Sequence, residues 1–130
     1  MTGRPDARPR GSRARLSRSA DFERVFRQGR SHACREFVLY LFPRDDEGPP
    51  RLGLSVSRKV GGAVQRNRVK RVLREAFVLE RSQLPASTDA VVVARREAWA
   101  LVEREGLEGV RQALADLIAR ATGRAREASA

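Results

Sequence analysis

Hydrophobic positions in this chain of 130 residues fall into short groups whose spacing differs, and the spacing predicts which become helix and which strand. Val69, Val72, Leu73, Ala76 and Phe77 recur at three and four residues, so they share one helical stripe facing a core. The helix they predict opens after Gly61-Gly62 and runs to about Arg81. Glu36 to Phe42, carrying Phe37-Val38-Leu39-Tyr40-Leu41, is strand-like in its β-branched and aromatic content. From Arg51 to Ser57, Leu52, Leu54 and Val56 alternate with Gly53, Ser55 and Ser57, the pattern of a half-buried strand. The small residues on its second face leave room for close approach. Ala90-Val91-Val92-Val93-Ala94 is apolar throughout and predicts a strand central to a sheet.

Weaker signals complete the order. Ser19 suits an N-cap with Asp21 and Glu23 in the first turn, and the helix would stop at Gly29 with Phe22, Val25 and Phe26 on one face. Ser31 to Arg35 reads as a short edge strand, Pro43 to Pro50 as a polar turn, and Pro85 and Asp89 as the brackets of a loop. Leu107, Val110, Leu114, Leu117 and Ile118 predict a final amphipathic helix. The order is α-β-β-β-α-β-α, an α+β two-layer sandwich. It divides into a basic tail expected to be disordered (residues 1–18), one domain (19–122) and a polar C-terminal tail (123–130).

Charge changes the picture more than composition does. The net charge is +11, and it is concentrated. Met1 to Arg18 holds six Arg and one Asp; Arg58 to Arg81 holds eight basic residues and two Glu; the remaining segments balance. Asn67, Lys70, Arg71, Arg74 and Arg81 lie opposite the apolar stripe of the central helix, with Arg66 and Arg68 flanking them. Like charges at this spacing weaken a helix, and a bound phosphate backbone would relieve them. The asymmetry points to a polyanion such as nucleic acid. Arg outnumbers Lys 25 to 2, which suits RNA, although a GC-rich genome gives the same bias.

Several chemistries find no residues to carry them. His32 is the one histidine and Cys34 the one cysteine, too few for a zinc site, so His32 reads as a surface residue and Cys34 as a half-buried strand residue. Asp45-Asp46-Glu47 sits in a Pro-flanked turn and reads as a solvated tip rather than a two-metal site. Gly61-Gly62 lacks the spacing of a nucleotide loop. A lone cysteine fits a reducing cytosol, and neither an apolar run of about 20 residues nor the apolar core of a signal peptide is present. The expected location is the cytoplasm.

Gly53-Leu54-Ser55-Val56-Ser57-Arg58-Lys59-Val60-Gly61, running into Ala63-Val64-Gln65-Arg66-Asn67-Arg68-Val69-Lys70-Arg71, resembles the protein component of bacterial ribonuclease P. Asp21-Phe22 with Phe26, Phe37-Val38-Leu39-Tyr40, and Asp89 and Arg95 around the valine strand fit as well. The resemblance covers about Leu16 to Thr122 and implies a left-handed β-α-β crossover made by Leu52–Ser57, the basic helix and Ala90–Ala94. It implies that an RNA subunit performs Mg²⁺-dependent removal of the 5′ leader of precursor tRNA, while the protein binds both RNAs. No cofactor or metal on the protein, no membrane and no obligate protein partner are expected.

By the same resemblance Arg58, Lys59, Arg66, Asn67, Arg68, Lys70, Arg71 and Arg74 face the catalytic RNA. Phe22, Phe26 and Tyr40 form an aromatic cleft for the single-stranded leader, whereas the spacing of Phe22 and Phe26 alone favours core packing. Two features depart from the family pattern: Arg58-Lys59 stands where relatives often have two lysines, and the Arg-rich N-terminal tail is long. A ribosomal-type RNA-binding assembly protein of the same fold, with no role in cleavage, is the alternative.

Overall fold

The computed structural model describes residues 30–44 and 47–123. The predicted helix from Ser19 to Gln28, with Phe22 and Phe26, lies outside the described residues, as do Asp45-Asp46 and both chain ends. The elements are β1 (Arg30–Ala33), β2 (Phe37–Pro43), β3 (Arg51–Val56), α1 (Ala63–Glu80), a 3-10 turn (Arg81–Gln83), β4 (Thr88–Ala94) and α2 (Ala98–Ala121). They form one sheet in the order β1-β2-β4-β3. β2 pairs antiparallel with both β1 and β4, and β3 pairs parallel with β4. Parallel neighbours need a crossover, and α1 supplies it.

Side-chain alternation assigns each sheet face. Phe37 and Leu39 of β2, Leu52 and Val56 of β3, and Ala90, Val92 and Ala94 of β4 join the main core beneath the two helices. Val69, Val72, Leu73, Ala76 and Phe77, the stripe that the sequence predicts, are the buried residues of α1. Full burial of a side chain such as Leu73 or Phe77 stabilises by about 1.5–3 kcal/mol, enough in sum to hold the like-charged helix. The other sheet face carries a separate cluster in which Tyr40, Phe42 and Val93 pack around the buried Val91.

Several boundaries differ from the sequence expectation. β1 ends at Ala33, so Cys34 sits in a turn closed by its N–H donating to the Phe37 carbonyl at 2.8 Å, and not in a strand. β4 begins two residues earlier, at Thr88, and takes Asp89 into the sheet interior. α2 begins at Ala98 and buries Ala98, Leu101 and Val102 ahead of the predicted stripe. Gly106, at φ 63°, kinks that helix and leaves Leu107 36% exposed rather than in the core. Arg111 of α2 donates to Glu80 at 2.7 Å and ties the second half of α2 to the end of α1.

Candidate nucleic-acid interface

The parallel β3–β4 pair brings two chain segments to one end of the sheet. Val56 and Ala94 are register partners, so the residues that follow them emerge side by side. After β3 comes a turn in which Val60 is buried and donates its N–H to the Ser57 carbonyl at 3.1 Å, while Lys59 N–H donates to Ser57 Oγ at 3.3 Å. With Val60 anchored, Arg58 and Lys59 are left exposed. After β4 come Arg95 and Arg96, also exposed. Ser57, Lys59, Val93, Ala94, Arg95 and Arg96, with the acidic Glu97 beside them, line a shallow hollow of about 400 Å³. Arg95 is fixed there by its N–H on the Glu36 carbonyl at 2.8 Å and its Nη1 on the Cys34 carbonyl at 3.2 Å.

α1 starts at the same end. Gly62 is its N-cap, and the Gly62 N–H donates to Gln65 Oε1 at 2.6 Å while Arg66 N–H donates to the Gly62 carbonyl at 2.8 Å. A Cβ at Gly61 would stand 3.0 Å from the Gln65 side chain, which explains the small residues at this entry. The first turn holds no acidic residue, so the positive end of the helix dipole is left for an external anion. Asn67, Arg68 and Arg71 are exposed, and Arg66, Lys70 and Arg74 are half-buried beside them. Arg66 Nε is buried without a hydrogen-bond partner. The predicted basic residues therefore occupy one helix face and its entry turn.

The sheet face that no described helix covers adjoins this end. Tyr40 is half-buried there, in register with Val91, which is in register with Gly53. The neighbouring row is Val38, Val93 and Ser55. Tyr40 thus packs against the buried Val91 beside the small residues Gly53 and Ser55, and an aromatic ring at such a half-buried position can stack on a base. Phe42 shares the face with Tyr40.

Sequence reasoning had not placed Phe42, Arg95 or Arg96 in the site. The period of two links Phe42 to Tyr40, and the ends of parallel strands bring Arg95 and Arg96 to Lys59. Phe22 and Phe26 cannot be placed, because they lie outside the described residues.

One buried charge braces the far end of this face. Asp89 is fully buried in β4, and accepts from Arg51 Nε at 2.8 Å, Arg51 Nη2 at 2.9 Å and Arg44 Nη1 at 3.0 Å. Burial pushes the carboxyl up, but the hydrogen bonds and charges of Arg51 and Arg44 outweigh it and hold Asp89 below the usual carboxylate range. No cluster of His, Cys, Asp and Glu suited to a metal ion occurs among the described residues.

The fold and this charge distribution define a small α+β protein with one strongly basic helix and entry turn, of the kind that binds nucleic acid. Comparison with known proteins narrows the class. The family model for Ribonuclease P matches residues 11–122. The ribonuclease P protein component of Bacillus pumilus is 43% identical over 93 residues, covering 72% of this chain and 78% of that protein. That of Shouchella clausii is 46% identical over 91 residues, covering 70% and 75%. The solved RNase P protein of Staphylococcus aureus superposes with a TM-score of 0.73 at 35% identity, covering 83% of this chain and 94% of that one. That of Thermotoga maritima gives 0.73 at 34%, covering 82% and 96%. The chain belongs to the ribonuclease P protein family. It is the protein component of that endoribonuclease, acts in tRNA 5′-end maturation, and has the ribonuclease P RNA as its partner.

Proposed function

We propose that α1 and its entry turn dock on the catalytic RNA while the sheet face carrying Tyr40 and Phe42 holds the single-stranded 5′ leader of precursor tRNA. The observation that carries this reading is convergence. The α1 N-terminus with Arg66, Asn67 and Arg68 and the Arg58-Lys59 turn follow the end of β3, and the Tyr40–Val91–Gly53 row crosses the middle of the same sheet, three residues before that end. A leader stacked on Tyr40 and running towards the end of β3 and β4 meets Lys59, Arg95 and Arg96 there. Its junction with tRNA is thereby directed towards the RNA that α1 holds.

In this reading the protein binds and orients, and Mg²⁺ bound by the RNA subunit supplies the hydrolytic chemistry. Stacking and phosphate contact tolerate any base, which suits a processor of many precursors. Lys70, Arg71 and Arg74 extend the RNA contact along α1. The protein works without a cofactor of its own or an obligate protein partner, in the cytoplasm and away from membranes. No helix among the described residues is long and apolar enough to cross a membrane.

The test compares holoenzyme and RNA alone for affinity towards precursor tRNA and towards tRNA lacking the leader. The protein should strengthen binding of the precursor much more than of leaderless tRNA. An equal gain for both would remove the leader from the assignment.

A further inference from the structure

The opposite end of the sheet, on the helix-covered face, holds a second hollow. β1 and β2 pair so that Arg30 faces Leu41 and His32 faces Leu39. α2 covers Leu39, which is buried, and ends at Ala121. Beyond the helix end, Leu41 and Pro43 remain as an apolar floor, Pro85 forms a wall, and Arg30 and His32 stand at the rim of a space of about 390 Å³. That volume lies within the range of small-ligand sites.

The polar groups are arranged for an anion carrying a flat apolar body. The Arg30 and His32 backbones belong to the β1–β2 ladder, and among the described residues no acidic side chain lines the space beside their side chains. A third cation, Arg120, is held nearby by its Nη2 donating to the Ala33 carbonyl at 2.7 Å. Burial, then Arg120 and Arg30, push the His32 imidazole below its ordinary value, so it is neutral at pH 7 and keeps an N–H to donate. Two of the last helix carbonyls are capped, Ile118 by the Thr122 N–H and Arg120 by the Gly123 N–H, which reduces the negative character of the helix end beside the hollow. Thr122 Oγ1 donates to Ile118 at 2.8 Å and Thr88 Oγ1 to Ala86 at 3.5 Å, so both hydroxyls offer lone pairs to an incoming amino group.

We propose that this hollow is a nucleotide site, with the base against Leu41 and Pro43 and the phosphate at Arg30 and His32. The inference rests on the RNA-binding role, since an unpaired residue of a bound RNA is the occupant that role supplies. The site is separate from the leader face, which lies across the sheet. A bound phosphate would offset the two guanidinium charges and raise the pKa of His32, so binding takes up a proton.

The chain has a single histidine, so its imidazole signal in the NMR spectrum of the full-length protein reports this site alone. Titration with 5′-CMP should give a saturable His32 shift and raise its pKa, at concentrations where cytidine or inorganic phosphate gives neither. Arg30→Ala, at an exposed position, should keep the fold by Trp99 fluorescence and weaken CMP about tenfold, the cost of one charged hydrogen bond. Tyr40→Ala should leave the titration unchanged.

A matching shift with the trinucleotide CCC identifies an RNA residue as the occupant, whereas a response to CMP only identifies a free nucleotide; both support the site. No saturable shift, or one that phosphate alone reproduces, overturns it. A CMP response from a protein that fails to bind ribonuclease P RNA would keep the site and overturn the RNA-binding role from which its occupant is inferred.

Discussion

Asp89 and Arg51 are register partners across the parallel β3–β4 pair and meet in a two-point ion pair, Nε to Oδ1 at 2.8 Å and Nη2 to Oδ2 at 2.9 Å. Arg44 reaches the same carboxylate at 3.0 Å and also donates to the Thr88 carbonyl at 3.2 Å. Three segments of the chain, the end of β2, the start of β3 and the start of β4, are thereby held at one buried point. Because the folded-state pKa of Asp89 is lowered, its stabilisation is complete above the ordinary value of 3.8 and is lost as pH falls through the folded value.

Asp89→Asn leaves two guanidinium groups without their anion and should destabilise the fold by about 3–5 kcal/mol. Denaturation followed by Trp99 fluorescence from neutral to acid pH checks both points. The variant should be weaker at neutral pH and lose less on acidification than the parent. Parallel pH curves would show that Asp89 does not titrate as described.

Phe77→Ala removes a fully buried ring beneath α1 and should cost about 3–5 kcal/mol. In denaturant titrations the midpoint should fall. RNA affinity, measured under conditions where the variant is still folded, should stay near that of the parent, because the ring faces the core and not the basic side.

Arg68 is exposed and forms no ion pair among the described residues, so Arg68→Ala should alter stability by no more than about 0.5 kcal/mol. Its effect belongs to RNA binding. Affinity for ribonuclease P RNA across a salt series should drop, and the logarithmic slope should shrink by about one. An unchanged slope would take Arg68 off the phosphate backbone.

Tyr40→Ala should weaken precursor tRNA binding by about 1–3 kcal/mol, the worth of one stacked base. Leaderless tRNA should bind as before. Competition binding with the two ligands separates the cases, and equal losses for both would place Tyr40 in a structural role alone.

Much of this architecture is legible in the sequence, for physical reasons that also mark where reading fails. The α1 stripe follows from local periodicity, and every residue predicted for it is buried. The apolar run marks β4, but not its start, because Thr88-Asp89 looks like loop until Arg44 and Arg51, distant in sequence, neutralise the carboxylate. The periodicity does not mark the first turns of α2, because Gly106 breaks the helix and shifts the apolar face, which also leaves Leu107 outside the core. Arg68 is marked by the charge of its own helix, whereas Tyr40 and Lys59 are nominated through the family resemblance. Neither signal places Arg95 and Arg96 in the site, because their nearness to Lys59 comes from the parallel pairing of β3 with β4.

The central claim is that this protein orients RNA for a reaction carried out by another molecule. The most direct measurement is precursor-tRNA cleavage at low Mg²⁺ by ribonuclease P RNA alone, by this protein alone, and by the two together. Efficient cleavage only by the pair is the predicted result. No gain over RNA alone, or cleavage by the protein alone, would contradict the account.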